Sequence, residues 1–390
     1  MTDPSPISGL HAATAELDPP LAAVDLTALR ANAADLVRRA RGVPVRVASK
    51  SVRCRAVLEE VLGSDLTASG GFAGIMGYSL AEAIWLARQG ARDILLGYPS
   101  VDRAALRELA ADPVLLDAVT LMIDDTDQLD LIRAAIGAKP APRVCIDVDA
   151  SLRIGPLHLG VRRSPIRTPE QAAALAIVAR DRGFRVVGIM TYEAQIAGLP
   201  DTNPAVRLVK KASAAEITRR RRQVVDAVRS EIGELEIVNS GGTGSIEVSI
   251  TDPDVTEVTA GSGLYFPTLF DGYRNLAQRP AMFFALPVLR HPAPGIATAF
   301  SGGYIASGPT GPTRVPRPVW PTGLKLIGTE GAGEVQTPLR GADGLEIGDR
   351  VWFRHAKAGE LCERFTQVHL VDSGTRTTVP TYRGEGQCFG

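Results

Sequence analysis

Two patterns of hydrophobic and polar positions divide the chain. Between about residues 21 and 275, short apolar runs rich in β-branched residues alternate with longer stretches that have the periodicity of amphipathic helices. The strand candidates are residues 22–25, 45–49, 66–68, 94–97, 119–123, 144–148, 186–191 and 235–239. Eight strands that alternate with helices predict an α/β fold, a (β/α)8 TIM-type barrel, with an open doubly wound sheet as the alternative.

The pattern changes after Tyr273. The chain becomes rich in proline and glycine, and short alternating strands follow one another without a long helix pattern. This predicts a C-terminal all-β domain at residues 276–390, after a barrel at residues 21–275. The N-terminal segment, residues 1–20, is expected to join the β domain.

Composition narrows the class of protein. Lysine plus arginine equals aspartate plus glutamate at 43 each, so no basic excess indicates a nucleic-acid partner. No stretch approaches the roughly 18 apolar residues of a membrane span. The N-terminus lacks the basic and apolar regions of a secretory signal, and the four cysteines are scattered without metal spacing. We therefore expect a cytoplasmic protein with reduced thiols.

Lys50 is the first candidate for chemistry. It follows the strand candidate 45–49 and precedes a helical pattern at 52–62, so it would lie at the C-terminal end of a barrel strand, where such barrels keep their active sites. A lysine there, among apolar residues, is a candidate for a Schiff base with pyridoxal phosphate (PLP). The alternative is a solvated lysine at a strand end.

A glycine-rich loop at residues 239–245 follows the last strand candidate of the barrel. Its glycines would let backbone N–H groups converge on a phosphate, and its hydroxyls would add donors. A second glycine-bearing loop follows at residues 260–265, and an ordinary glycine-rich turn is the alternative for the first. The candidate cofactor-binding residues are Lys50, Ser240, Gly241, Gly242, Thr243, Gly261 and Ser262.

Arg153 and Tyr192 follow two further strand candidates. Arg153 could donate to the phenolate oxygen of PLP or to a substrate carboxylate, or it could form a surface salt bridge. Tyr192 could face the mouth of the barrel or pack at its rim. With Lys50, these two residues are the candidate catalytic residues.

A possible metal site lies in the β domain, where His355, Glu360, Cys362 and Glu363 fall within nine residues. Neutral imidazole and thiolate suit zinc, and imidazole with carboxylate also suits manganese. His355 and Cys362 are the candidate ligands, and a purely structural role is the alternative.

Taken in order and spacing, these segments resemble the alanine-racemase-like (fold-type III) PLP enzymes. The likeness is greatest to the branch of D-threonine aldolase and D-serine dehydratase, which includes amino acid deaminase/aldolase proteins. The residues on which it rests are Lys50, Asp149-x-x-x-Arg153-x-Gly155, Tyr192-Glu193, Ser240-Gly-Gly-Thr-Gly, Ala260-Gly-Ser and His355.

The resemblance implies a role for each segment. Lys50 would form the Schiff base and exchange the substrate α-proton, the loop after Ser240 would hold the phosphate, and Arg153 would lie beside the ring. A divalent metal (Mn²⁺ or Zn²⁺) would bind the substrate hydroxyl through His355. The family places its second ligand two residues further on, where this chain has Lys357, so Cys362 or Glu360 would have to replace it.

The expected function is that of a PLP-dependent lyase acting on a β-hydroxy D-amino acid, as aldolase or dehydratase. The partner would be a small-molecule amino-acid substrate, and a homodimer is expected because family sites are completed by the partner's β domain. One alternative is an amino-acid racemase, with Tyr265, Tyr304 or Tyr382 as second base. A second alternative is a non-catalytic PLP-binding protein, but proteins of that kind lack the β domain that this chain is expected to have. A third is a sugar-phosphate barrel enzyme without PLP.

Overall fold

The computed structural model describes residues 6–201, 203–277 and 279–390. Its strands are β1 Leu21–Asp25, β2 Val45–Ala48, β3 Ala68–Ser69, β4 Phe72–Gly77, β5 Ile94–Leu96, β6 Val119–Ile123, β7 Arg143–Val148, β8 Leu152–Ile154, β9 Leu157–Leu159, β10 Arg185–Thr191, β11 Ile237–Ser240, β12 Glu257–Ala260, β13 Met282–Ala293, β14 Ile296–Phe300, β15 Arg317–Trp320, β16 Lys325–Leu326, β17 Gln336–Arg340, β18 Arg350–Arg354, β19 Gln367–Asp372 and β20 Thr375–Pro380. Its α-helices are α1 Pro6–Ala13, α2 Leu26–Ala40, α3 Arg55–Leu62, α4 Leu80–Arg88, α5 Arg103–Ala111, α6 Pro113–Ala118, α7 Thr126–Ile136, α8 Pro169–Asp181, α9 Ala194–Ala197, α10 Pro204–Ile232, α11 Ile246–Ser249 and α12 Ser262–Tyr265. Short 3₁₀ turns occur at Ser49–Ser51, Thr268–Phe270, Pro312–Arg314 and Glu360–Arg364.

The chain forms two compact units. The barrel unit comprises residues 35–50, 58–261 and 389–390, and the sheet unit comprises the described residues up to 34, 51–57 and those of 262–388. Of the helices that the structure describes, none is long and apolar enough to cross a membrane.

Eight parallel strands close the barrel unit in the order β2-β12-β11-β10-β7-β6-β5-β4, and β4 pairs with β2. The strands are buried almost throughout, as expected for parallel strands enclosed by helices. A cluster of buried side chains that includes Leu95, Met122, Val187 and Ile237 forms part of the core. The predicted (β/α)8 barrel is therefore confirmed.

Two of the eight strands differ from those predicted. β4 and β12 were missed, because β4 contains two glycines and β12 is four residues long and begins with the charged Glu257. Residues 22–25 were wrongly assigned to the barrel: they form β1, which pairs with β13 and β19 in the sheet unit. Residues 66–68 contribute no barrel strand. Lys50 therefore follows the first barrel strand, and the glycine loops follow the seventh and eighth.

Arg46 on β2 joins three strands of the barrel. Its side chain is 2% exposed and donates to both carboxylate oxygens of Glu257 on β12, at 2.7 and 2.6 Å. It also pairs with Asp93, just before β5, at 3.0 Å. Burial alone would lower the pKa of Arg46, but the two carboxylates outweigh it and raise the pKa. This buried ion pair fixes the strand that leads to Lys50.

The sheet unit holds nine strands in the path β16-β17-β14-β13-β1-β19-β20, with β18 paired to β13 and β15. This confirms the all-β character predicted for the C-terminal part of the chain. Helix α1 packs against the sheet, since Ile7 and Leu10 share a buried cluster with Leu21, Phe283 and Trp352.

Candidate active site

Lys50 lies in the 3₁₀ turn that follows β2. The turn is held by the Ser49 hydroxyl, which donates to the carbonyl of Met76 on β4 at 3.0 Å. The Lys50 amine is exposed and donates a hydrogen bond to the hydroxyl of Tyr98. The C-terminal end of the first barrel strand therefore presents a primary amine whose position Tyr98 determines.

Tyr98 and Arg163 were not identified from the sequence. The Arg163 guanidinium carbon lies 5.6 Å from the centre of the Tyr98 ring and 5.4 Å from that of Tyr192. Because Lys50 contacts the same Tyr98 ring, the structure brings together an amine, a guanidinium and two phenols. Burial raises the pKa of Tyr192, so its phenol is neutral at physiological pH. The only sequence signal for Tyr98 was its place two residues after β5.

Arg153 has other contacts. It lies on the β8–β9 hairpin, its side chain is nearly half exposed, and it pairs with Asp149 at 2.7 Å. The described contacts of Arg153 do not include Lys50, Tyr98 or Tyr192. Its role beside the cofactor ring stays a prediction, and Arg163 is the arginine that lies against the two phenols.

Asp147, at the end of β7, has an unusual pKa. Burial and the nearby Asp124 raise the pKa of its carboxyl to about 7, while Arg163 acts in the opposite direction. With Arg163 and Tyr192 it lines a small cavity of about 20 Å³, room for roughly one water molecule. Asp147 can therefore hold a proton near neutral pH.

The loop after β11 is held from within by Glu193. This buried carboxylate accepts hydrogen bonds from the Ser249 hydroxyl at 2.7 Å and from the Ser240 hydroxyl and the Gly241 N–H at 3.3 Å. Arg221 also donates to the Ser240 hydroxyl, at 2.8 Å. Ser240 is fully buried, so its hydroxyl supports the loop, and the structure does not direct it toward a ligand.

The glycines of this loop have no space for a side chain. Gly241 has a φ of +93°, and a Cβ there would lie 2.8 Å from the Ser249 hydroxyl. A Cβ on Gly242 would lie 2.9 Å from Ala197 and 3.3 Å from Tyr192. The backbone of this loop is therefore packed closely against its neighbours, and the Gly242 N–H donates to the Ser245 hydroxyl at 3.0 Å.

The other predicted phosphate residues are spread over several positions. Thr243 is buried, and its carbonyl accepts from Arg39 at 2.7 Å. Gly261 follows β12 in the barrel unit. Ser262 begins helix α12 in the sheet unit, where its hydroxyl lies 3.0 Å from that of Ser51.

These residues fit PLP, the cofactor that the resemblance implies. The Lys50 amine and the Gly241–Gly242 backbone follow parallel strands, so both lie at the C-terminal end of the barrel. In such barrels the phosphate site is frequently formed by the loops after the seventh and eighth strands. In this chain these strands are β11 and β12, and the two glycine loops follow them. Lys50 would bind the aldehyde and the loops the phosphate.

The sheet unit contains a cavity of about 260 Å³. Its lining includes Arg53, His355, Lys357, Glu360, Arg364 and Arg383, and we call it the Lys357 pocket. His355 is 3% exposed, and neither of its ring nitrogens forms a well-aligned hydrogen bond with a described residue, although the backbone of Met282 interacts with the ring. Burial, with a smaller effect of Arg354, lowers the pKa of His355 to about 3, so the imidazole is neutral.

The predicted metal ligands do not form a metal site. Within residues 6–201, 203–277 and 279–390, no group of three or more His, Cys, Asp or Glu side chains could hold a metal ion. The Cys362 thiol donates to the Val52 carbonyl at 3.2 Å, and burial raises its pKa, so it remains protonated. Glu360 accepts from Lys357 at 2.9 Å and from Ser307. The donors therefore do not fit a divalent metal.

The barrel is closed, an exposed lysine follows its first strand, and glycine loops follow its last two strands. These features together are typical of one class of barrel proteins. The sequence model of the family described as alanine racemase, N-terminal domain, matches residues 24–268. This match covers more than half of the chain. The protein belongs to this family, which confirms the predicted resemblance.

Individual relatives are lyases. The chain is 23% identical over 295 residues to 3-hydroxy-D-aspartate aldolase of Paracoccus denitrificans (strain Pd 1222), covering 74% of this chain and 72% of the relative. Its fold is similar to D-threonine aldolase from Filomicrobium marinum, with a TM-score of 0.78, 21% identity, and coverage of 95% and 96%. It is also similar to D-threo-3-hydroxyaspartate dehydratase from Delftia sp. HT23, with a TM-score of 0.73, 22% identity, and coverage of 94% and 98%.

Proposed function

We propose that the protein is a PLP-dependent lyase that acts on a β-hydroxy D-amino acid. The observation on which the proposal rests is the Lys50 amine, held by Tyr98 at the end of the barrel where the two glycine loops lie. The substrate class comes from the three relatives, whose names all specify a β-hydroxy D-amino acid. Aldol cleavage and dehydration both remain within this proposal.

Each residue of the barrel mouth has a proposed task. When bound, PLP supplies the electron sink that makes bonds to the substrate α-carbon labile. Lys50 moves a proton at the substrate, and Tyr98 positions its amine. Arg163 provides a positive charge that can pair with an anionic oxygen of the substrate or cofactor. Asp147, which lies near Arg163, can hold a proton. Glu193 maintains the shape of the phosphate loop.

The racemase alternative needs a second base. Tyr265 is fully buried and donates to the Val52 carbonyl at 3.1 Å, and burial raises its pKa far above its ordinary value. Tyr382 is 1% exposed. Tyr304 is partly exposed, lines the Lys357 pocket, and is the remaining candidate. Of the three tyrosines, only Tyr304 is therefore placed where it could act as the second base of a racemase.

The family resemblance also supports a homodimer as part of this proposal, because related sites are completed by a partner chain. Analytical ultracentrifugation of the PLP-loaded protein tests it. A single species of twice the chain mass is expected, and a fully active monomer would contradict the dimer.

A spectral titration tests the proposed substrate class. The absorption of bound PLP should change on addition of D-threonine or D-3-hydroxyaspartate and remain unchanged with the L-enantiomers at the same concentration. An equal response to both enantiomers would contradict the stereochemical part of the proposal. A protein that binds no PLP would contradict all of it.

A further inference from the structure

We propose that the Lys357 pocket binds a small oxyanion directly, through cationic side chains and the His355 imidazole, without a divalent metal. The ligand class is a carboxylate-bearing metabolite or inorganic phosphate, which share the same oxyanion chemistry. The pocket lies within the sheet unit, and this inference does not depend on the reaction proposed above.

The charges around the pocket favour an anion. Four cationic side chains line it and two carboxylates oppose them, which leaves two positive charges. The cations are Arg53, Lys357, Arg364 and Arg383, and the carboxylates are Glu360 and Glu363. Planar guanidinium groups and an ammonium are the preferred protein partners of carboxylates and phosphates.

The carboxylates neutralise only part of this charge. Lys357 pairs with Glu360 at 2.9 Å, and Arg53 pairs with Glu363 at 2.8 Å. Arg383 lies farther from Glu363, at 3.7 Å. Arg364 forms no ion pair in the part of the chain that the structure describes, and its guanidinium lies 5.9 Å from the centre of the Tyr304 ring. Arg364 and Arg383 can therefore turn to a bound anion.

His355 is the second, independent observation. A buried polar group without a partner is costly, so it points to a ligand that completes its hydrogen bonds. The imidazole lines the same cavity as the cations. One ring N–H can donate to an oxyanion, and the cations can neutralise the charge of that oxyanion.

Lys357 accounts for the choice of an anion over a metal. It stands two residues after His355, and an ammonium at this place repels a divalent cation. Its amine also contacts the Ser307 hydroxyl, so it is fixed at the pocket. The positive charge that a metal would supply is supplied here by the protein.

Isothermal titration calorimetry on the PLP-loaded protein tests the proposal, because PLP then occupies the phosphate loop. Malonate and inorganic phosphate are titrated separately, followed by ZnCl₂ and MnCl₂ on chelator-treated protein. We expect one site per chain for at least one of the two anions, and the tighter of the two identifies the source of the oxyanion. Lys357→Met should weaken that binding about tenfold or more, while Lys325→Met, at an exposed position of the same unit, should leave it unchanged.

Two further variants keep the test decisive if Lys357→Met does not fold. Lys357→Arg preserves the charge and should retain anion binding. Lys357→Asp places a carboxylate two residues after His355, and should lose the anion and gain Zn²⁺ or Mn²⁺ binding. Stoichiometric metal binding by the wild type that His355→Gln removes would overturn the proposal, as would equal anion affinity in wild type and Lys357→Met.

Discussion

The Nζ atom of Lys50 donates a hydrogen bond to the hydroxyl of Tyr98 and lies 5.1 Å from the centre of its ring. Arg163 packs against the same ring. Tyr98 therefore determines both where the amine points and which cation lies near it.

Replacing Lys50 should remove the covalent link to the cofactor. Lys50→Ala is expected to lose the visible absorption band of protein-bound PLP and all measurable lyase activity, because Lys50 is the amine that Tyr98 holds at this place. Lys139→Ala, at an exposed lysine of the barrel unit, is the control and should retain both. An unchanged band in Lys50→Ala would show that the cofactor is attached elsewhere.

Replacing Tyr98 should affect catalysis more than binding. Tyr98→Phe keeps the ring but removes the hydroxyl that accepts from Lys50, and one lost hydrogen bond of this kind costs roughly a factor of ten. We expect kcat/KM to fall by about that factor, with PLP still bound. Steady-state kinetics with a cofactor titration measures both. Wild-type kcat/KM in Tyr98→Phe would contradict a positioning role.

Glu193 should stabilise the phosphate loop. Glu193→Gln replaces an acceptor by an N–H₂ donor that faces the donors of Ser249 and Gly241, and one such mismatch costs about 1–3 kcal/mol. Urea unfolding should show a loss of that size, and the affinity for PLP should fall as well. Glu234→Gln, whose side chain is 89% exposed, should be neutral in both measurements. Unchanged PLP affinity in Glu193→Gln would show that this carboxylate does not stabilise the phosphate loop.

Asp147 should make stability depend on pH. Because its pKa is raised from 3.8 to about 7, the folded protein binds a proton that the unfolded chain has released over this range. The free energy of unfolding should therefore fall as the pH rises from about 4 to about 7. Asp147→Asn removes this effect, and above pH 7 it should be more stable than the wild type by up to about 4 kcal/mol.

The measurement is chemical unfolding of both proteins at about pH 5 and about pH 8. The advantage of Asp147→Asn should grow from the lower to the higher pH, while Asp117→Asn, at an exposed position, shows no such growth. An advantage that is equal at both pH values would mean that the carboxyl titrates normally.

The sequence was sufficient for the fold because most barrel strands contain a short run of apolar and β-branched residues between helical patterns. β4 was not predicted because Gly74 and Gly77 interrupt its apolar pattern. β12 was not predicted because it begins with Glu257, a charged residue that is buried only because it pairs with Arg46. β1 resembles a barrel strand because both of its faces are buried, although its partners lie in the antiparallel sheet. Pairing partners, and not local pattern, decide such cases.

The candidate site was predicted less completely. Lys50 and the glycine loop stand at strand ends and could be found by position, but Tyr98 and Arg163 meet only in three dimensions, from loops 65 residues apart. Ser240 was predicted to bind phosphate because of its residue type, whereas the structure gives its hydroxyl to Glu193 and Arg221. Near His355 the sequence contains residue types that bind metals, and these residues predicted a metal site. In the structure, Cys362 and Glu360 bond to the Val52 carbonyl and to Lys357 instead.

The central claim, a PLP-dependent lyase for a β-hydroxy D-amino acid, is tested most directly by its products. The PLP-loaded protein is incubated with D-threonine and, separately, with D-3-hydroxyaspartate, and the products are identified by chiral chromatography and mass spectrometry. We predict either glycine with the corresponding aldehyde or a keto acid with ammonia, and no product in Lys50→Ala. Appearance of the α-epimer as the sole product, or no turnover of any β-hydroxy D-amino acid by the PLP-loaded protein, would contradict the account.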